Sequence, residues 1–277
     1  MKLLILLLAL SMAITVTANP DLEKMVATER RFAERAAETS TKEAFLEFAA
    51  KDGVLFLPDR INAIEYWKGR GASTGLLSWA PNYADISANG LMGYTTGNWE
   101  FRPKGRDGEP EGFGEFITVW LRQPDGNYRF VVDIGIGHER PKVFSTELAT
   151  VKDPSKDLNA DRRSAADSAN AFYASIYSIG LAKAYENFAT SDVRGFREGM
   201  MPVIGRKDLV SVVKKEKARY DLAKRSSFFE TADLAYNTNT YRKFLDGKIV
   251  EKGNTLQIWR LIDKKWRLVL DVFKPVP

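Results

Sequence analysis

The sequence predicts an α+β fold in two tandem domains, each with N-terminal helices packed on one face of a curved antiparallel sheet. Three observations predict it. Within each half, residues at helical spacing come first and alternating strands follow. The same succession of motifs recurs about 140 residues further on. The length, 277 residues, suits two domains.

The first 18 residues lie outside that pattern. Lys2 precedes an apolar run over 3–16, which is short for a bilayer span and suited to the core of a secretory signal. Val16-Thr17-Ala18 supplies small residues at a cleavage site, and Asn19-Pro20 breaks any continuing helix. The expectation is a signal peptide over 1–18, cleaved near Ala18, and a periplasmic or secreted mature chain. An uncleaved anchor helix is the competing reading. No transmembrane segment is expected in the mature chain, because no later apolar run is long enough.

The first domain is read over 20–140. Leu22, Met25, Val26, Glu29, Phe32, Ala33 and Ala36 form one helical stripe. Ser40-Thr41-Lys42-Glu43 fits a capping box and starts a second helix, with Ala44, Phe45, Phe48 and Ala49 inward. A short third helix is expected over 62–68. Strands then run through Gly93-Tyr94 to Trp99, through 116–120, and through 128–133, the last two joined by the turn 123–127.

A linker is expected over 141–162, which is polar and contains Pro141 and Pro154. The second domain, 163–277, repeats the order. Phe32, Ala44, Phe48 and Asp52 recur as Phe172, Ala184, Phe188 and Asp192. Trp120 recurs as Trp259, and the strand 128–133 recurs as 266–271, ending again on Asp. The third helix of this copy reads as long and basic, over 206–225.

Composition narrows the chemistry. Hydrophobic residues are 44% and aromatics 12%, which is the make-up of a packed core. There is no Cys, so disulfides, thiolate nucleophiles and cysteine metal sites are excluded. His138 is the single histidine and cannot build a multi-histidine metal site; it reads as an exposed or capping residue at a strand end. No Gly-x-Gly-x-x-Gly, Walker or Gly-x-Ser-x-Gly pattern occurs, so neither a metal nor a cofactor is expected. Charge is divided: 19–140 holds 15 Lys and Arg against 19 Asp and Glu, whereas 161–277 holds 22 against 14. The run Lys214, Lys215, Lys217, Arg219, Lys224 and Arg225 reads as a solvated helix face, with an anion site, a membrane surface or docking on the acidic half as alternatives. Nucleic acid is not an expected partner, since no recognition motif is present.

The stretches Gly93-Tyr94-Thr95-Thr96-Gly97-Asn98-Trp99-Glu100, Gly114-Glu115-Phe116-Ile117-Thr118-Val119-Trp120 and Asp125-Gly126-Asn127-Tyr128-Arg129-Phe130-Val131-Val132-Asp133 resemble the nuclear-transport-factor-2-like superfamily. They are similar in particular to its SnoaL-like, ketosteroid-isomerase-like branch, in exported bacterial members of unknown function. The resemblance covers nearly all of 21–140 and is weaker over 163–277. It implies a cone, with a bent sheet wrapped around helices and a pocket at the wide end. It implies no single activity, because that fold carries isomerases, cyclases, dehydratases, transport factors and oligomerisation modules.

Candidate site residues follow from the resemblance and from strand parity. Asp133, repeated as Asp271, is a candidate general base, with Tyr94 as a hydroxyl partner. Simple alternation puts Tyr128, Phe130, Val132 and Ile134 on the helix side and Asp133 on the outer face, where it would pair with Arg129. Trp99 and Trp120 are candidate pocket aromatics, although the parity of Tyr94 and Trp99 differs. Asp85 and Glu115 are candidate pocket acids in the first copy; the second has Ser227 and Asn254 at those places. The expected function is binding of a small apolar or amphipathic molecule in the first cone. The alternatives are a cofactor-independent isomerase or lyase, and an interaction module in which the cones form an intramolecular pseudo-dimer or a homo-oligomer.

Overall fold

The computed structural model describes residues 19–57, 59–71, 73–151, 164–223 and 227–277. The expected signal peptide and much of the expected linker lie outside these residues.

The first unit begins with α1 (Pro20–Glu38), α2 (Thr41–Phe48), β1 (Ala49–Phe56), β2 (Arg60–Asn62) and α3 (Ala63–Lys68). The strands β3 (Leu76–Ile86), β4 (Met92–Arg102), β5 (Gly112–Arg122), β6 (Tyr128–Gly137) and β7 (Ala149–Thr150) follow. The second unit runs α4 (Ala165–Ile179), α5 (Leu181–Phe188), β8 (Ala189–Arg197), β9 (Val203–Ile204), α6 (Arg206–Glu216), β10 (Arg219–Leu222), β11 (Ser227–Glu230), β12 (Leu234–Leu245), β13 (Lys248–Ile262) and β14 (Lys265–Val276). Helices precede the main strands in both, and each unit has its own seven-stranded sheet, so the α+β class is observed.

Local chemistry starts the helices where the sequence reading placed them. Asn19 caps α1 by accepting from the backbone N–H groups of Asp21 and Leu22, with Pro20 in the first turn. Ser40 accepts from Glu43 N at the head of α2, and Asn62 accepts from Glu65 N at the head of α3. Ser164 and Asp167 close a full capping box on α4. The basic helix is shorter than expected. It ends at Glu216, where Lys217 turns left-handed (φ 51°) and the chain continues as β10. Lys224 and Arg225 lie outside the described residues.

The first sheet has the order β2-β1-β6-β5-β4-β3-β7. Its long hairpins are antiparallel, while β1 lies parallel to β6. The parallel pairing arises because α1 and α2 feed β1 back along the last strand. Part of the stretch read as linker belongs to this sheet: Ala149 and Thr150 pair parallel with Tyr83 and Ala84. The second sheet repeats the plan, with β8 parallel to β14.

Three cores result. One fills the first unit between helices and sheet, around Phe32, with Phe45, Trp79, Phe48, Phe130 and Trp120 at 4.8–6.1 Å between ring centroids. Its counterpart surrounds Phe172 in the second unit. The third core lies between the two sheets, where Val119, Val132 and Ile134 of one meet Leu256, Ile258, Leu270 and Val272 of the other. The two units therefore pack sheet against sheet within one chain.

A buried ion pair crosses this interface. Arg260 Nη1 donates to Asp85 Oδ1 at 2.7 Å and to Ile86 O at 3.1 Å, while its Nη2 reaches Asp233 Oδ2 at 3.2 Å. Asp233 in turn accepts from Ala88 N at 2.9 Å. Removing Arg260 leaves Asp85 and Asp233 buried without a counter-charge. Arg260→Ala is expected to destabilise the chain by about 3–5 kcal/mol, measured by urea denaturation. In a double-mutant cycle with Asp85→Ala the two losses should fall well short of adding.

Candidate functional site

The candidate site is on the concave side of the first sheet, and a β-bulge builds it. In β5–β6, Val119 pairs with Val132 but Trp120 pairs with Phe130, so Val131 is an extra residue. Up to Phe130 the even positions face the helices. Beyond the bulge Val132, Ile134 and Ile136 face the other sheet, and Asp133 points into the cone. This corrects the alternation argument, which placed Asp133 outside. Arg129 does not pair with it and instead donates to Glu47 O.

Cross-strand register then orders the concave face in rows across β4, β5 and β6. The deepest row is Gly93, Trp120 and Phe130; the next is Thr95, Thr118 and Asp133. Gly97, Phe116 and Gly135 follow, and then Trp99, Gly114 and Gly137. The glycines have a steric purpose here. A Cβ on Gly114 would meet the Trp99 ring at 2.5 Å, so its absence lets the indole lie flat on the sheet. Trp99 Nε1 donates to Glu115 O at 3.1 Å, which fixes the ring.

Asp133 Oδ2 accepts from Thr118 Oγ1 at 2.7 Å. Among the described residues no other hydrogen bond to its side chain is seen. Burial in the cone, away from water, pushes its pKa up to about 7, against the lowering effect of Thr118, and the nearby Glu29 carboxyl adds to the rise. Asp133 as a whole residue is only half-buried.

Glu29 is a site residue that sequence reasoning did not single out. It is fully buried on α1, accepting from Trp79 Nε1 (2.7 Å), Thr95 Oγ1 (2.6 Å) and Trp120 Nε1 (3.1 Å). Burial raises its pKa, and these donors hold the rise down. The signal was present in the sequence: an acid at an inward position of an otherwise apolar stripe.

The structure separates the other candidates from Asp133. Trp120 is in the cone but sealed, as a donor to Glu29. Tyr94 faces the opposite way, into the core between the sheets, so it cannot serve as a hydroxyl partner to Asp133. The differing parity of Tyr94 and Trp99 is real, because no bulge interrupts β4–β5. Asp85 is taken up by Arg260 at the interface, its pKa pushed up to about 6 by burial against the pull of that cation. Glu115 also lies away from the cone. It accepts from Asn98, sits 3.8 Å from His138 Nε2, and is pushed up to about 7 by burial. The His138 side chain is buried, not exposed, because the strand end carrying it is covered at the junction with the second unit, where Gly137 binds Glu198 and Gly199.

The second cone carries the same carboxyl in another state. Asp271 follows the same bulge, here at Val269, but is fully buried. Tyr185 Oη donates to it, Arg197 Nη2 reaches it at 3.1 Å, and Gln257 Nε2 donates at 3.0 Å. Above it the Arg197 guanidinium lies 4.1 Å from the centroid of Phe273, which packs on Tyr241 and Tyr220. The matching row in the first cone holds Gly135 where the second holds Phe273. An open groove of about 450 Å³ lies apart from Asp133 and Trp99, between α1 and β3, lined by Arg30, Ala33, Ala37, Trp79 and Pro81. Among the described residues no group of acids and histidines is placed to hold a metal, and no helix is long and apolar enough to cross a membrane.

No protein-family model matches the chain, and no curated protein matches it. Solved structures similar to it include a candidate ketosteroid isomerase from Parabacteroides distasonis, at 17% identity and a TM-score of 0.35, covering 44% of this chain and 94% of that one. A protein of unknown function with a cystatin-like fold from Nostoc punctiforme gives 16% identity and 0.34, covering 40% and 87%. An NTF2-like protein of unknown function from Pseudomonas putida gives 9% and 0.34, covering 39% and 80%. These are the kinds of protein that the sequence resemblance named. They match only part of the chain's length and say nothing of its chemistry.

The buried acids set a pH dependence. Asp133 and Glu115 bind protons more tightly in the folded chain (about 7) than at their ordinary values of 3.8 and 4.5. The stability tied to those protons is complete below the ordinary values and is lost as pH rises through about 7. Denaturation midpoints should therefore fall from about pH 5 to about 8. Asp133→Asn, neutral throughout, should make that fall shallower.

Proposed function

We propose that the first domain binds a small apolar or amphipathic molecule in its cone, over Asp133 and beside Trp99, and that the second domain supports it. The observation that carries this reading is the contrast between the two carboxyls. Asp271 is sealed by Tyr185, Arg197, Gln257 and Phe273, whereas Asp133 has one donor among the described residues, is only half-buried as a residue, and has glycines above it. Aromatic walls with one directed polar group are the usual make-up of a small-molecule site. The apolar run over 3–16 and the small residues before Asn19 support export of the mature chain to a periplasmic or extracellular compartment.

A second reading is cofactor-independent proton transfer, as in an isomerase or lyase. The Asp133 pKa of about 7 favours it, since a general base works best when poised near the working pH. In that reading Asp133 acts without Tyr94.

Gly135→Phe tests the binding reading, because it places in the first cone the ring that Phe273 places in the second. A Cβ at this position meets only Trp99 Nε1, at 3.6 Å, so the backbone accepts a side chain there and the added ring competes with Trp99 for the space beside Asp133. Native mass spectrometry of the gently purified wild-type protein should show a bound small molecule, and Gly135→Phe should show the bare mass with an unchanged circular dichroism spectrum. A molecule retained equally by both proteins would place binding elsewhere.

A further inference from the structure

We propose that the molecule held in the first cone is an organic cation, an amidinium, guanidinium or amine on an apolar or aromatic body. This rests on the reading that the first cone is a binding site. The second domain shows what that cone accommodates, because there the chain supplies its own occupant. Arg197 pairs with the Asp271 carboxylate at 3.1 Å and stacks on Phe273 at 4.1 Å. A cation and an aromatic ring together fill the space over the carboxyl.

The equivalences follow from strand register. Leu55 lies opposite Asp133 and Gly195 lies opposite Asp271. Two residues on in sequence, the first copy has Leu57, in the bend that follows β1, and the second has Arg197, still paired in β8 with Phe273. Leu57 is 48% exposed, so no protein side chain seals it in. Gly135 stands for Phe273, as described above. The first cone thus keeps the carboxyl and lacks the cation, and its aromatic group is Trp99, whose ring comes within 3.6 Å of where a Cβ on Gly135 would stand.

Electrostatics point the same way. The charged group acting on Asp133 is a second carboxyl, Glu29 from α1; the neighbours that face it from β4, β5 and β1 are Thr95, Thr118 and Leu55. A carboxylate in an apolar wall without a counter-charge is costly, and a cation delivered by a ligand relieves that cost through a charge-assisted hydrogen bond. The face of Trp99 gives the cation a second favourable partner. A neutral ligand leaves an ionised Asp133 unpaired, and an anion is repelled by it. Because pairing requires the ionised form, ligand binding displaces the proton from Asp133 and strengthens as pH rises.

Three probes of one shape and different charge test this by isothermal titration calorimetry on the full chain: benzamidine, benzamide and benzoate. Benzamidine is expected to bind at least about tenfold more tightly than benzamide, and benzoate not at all. For a group titrating at about 7, benzamidine affinity should rise about tenfold between about pH 6 and 8. Leu57→Arg supplies the missing guanidinium from an exposed position and should abolish benzamidine binding without lowering the melting temperature; Asp133→Asn should weaken it and remove its pH dependence. Equal binding of benzamide and benzamidine would overturn the cation class while leaving cone binding intact. Benzamidine binding untouched by both variants would overturn the assignment to Asp133. Failure of all three probes overturns the cation class, and the native mass spectrum of Gly135→Phe shows whether cone binding falls with it.

Discussion

One extra residue in each last strand, Val131 and Val269, decides where everything beyond it points. Before the bulge the strand gives its large residues to the helices; after it, the apolar set turns outward and the aspartate turns in. Both results depend on that reversal. Val132, Ile134, Leu270 and Val272 become the core between the sheets, which joins the two halves of the chain. Asp133 and Asp271 become the polar floor of two cones. Without the bulge each acid would sit in the sheet–sheet core, where an unpaired carboxylate is strongly disfavoured.

Given the same frame, the two copies diverge in what fills it. In the first, Glu29 draws three donors from Trp79, Thr95 and Trp120 and closes the narrow end of the cone. In the second, Ala169 stands at the corresponding place on α4, and Asn237 and Gln257 bond to each other and to the strands instead. The wide ends differ in the opposite sense, with the second filled by Arg197, Tyr220 and Phe273 and the first left glycine-rich. Filling a cone with a paired ion and rings favours stability; leaving a carboxyl partly satisfied costs stability and leaves a group able to act on a ligand.

Much of the fold was legible because its signals are local. The cap at Ser40, the stripes around Phe32 and Phe172, and the repeated Trp120 and Trp259 all lie within a few residues of what they determine. The site was less legible for three physical reasons. A bulge at Val131 uses an ordinary apolar residue, so nothing in Phe130-Val131-Val132 marks where parity changes, although three consecutive apolar residues leave both faces open to burial. Asp85 reads as a pocket acid until Arg260, 175 positions away, is brought to it by the packing of the sheets. The basic run reads as one helix, but Lys217 adopts the left-handed conformation that ends it.

The central claim is that the bulge turns Asp133 into a cone closed enough to raise its pKa and open enough to admit a ligand. The most direct measurement is a carboxyl-carbon NMR titration of Asp133 in the folded chain, assigned by comparison with Asp133→Asn. A carboxyl enclosed in the cone should titrate with a midpoint near 7. A midpoint at or below the ordinary 3.8 would contradict it, because a carboxyl titrating there is well solvated or paired with a cation and is not enclosed in the cone.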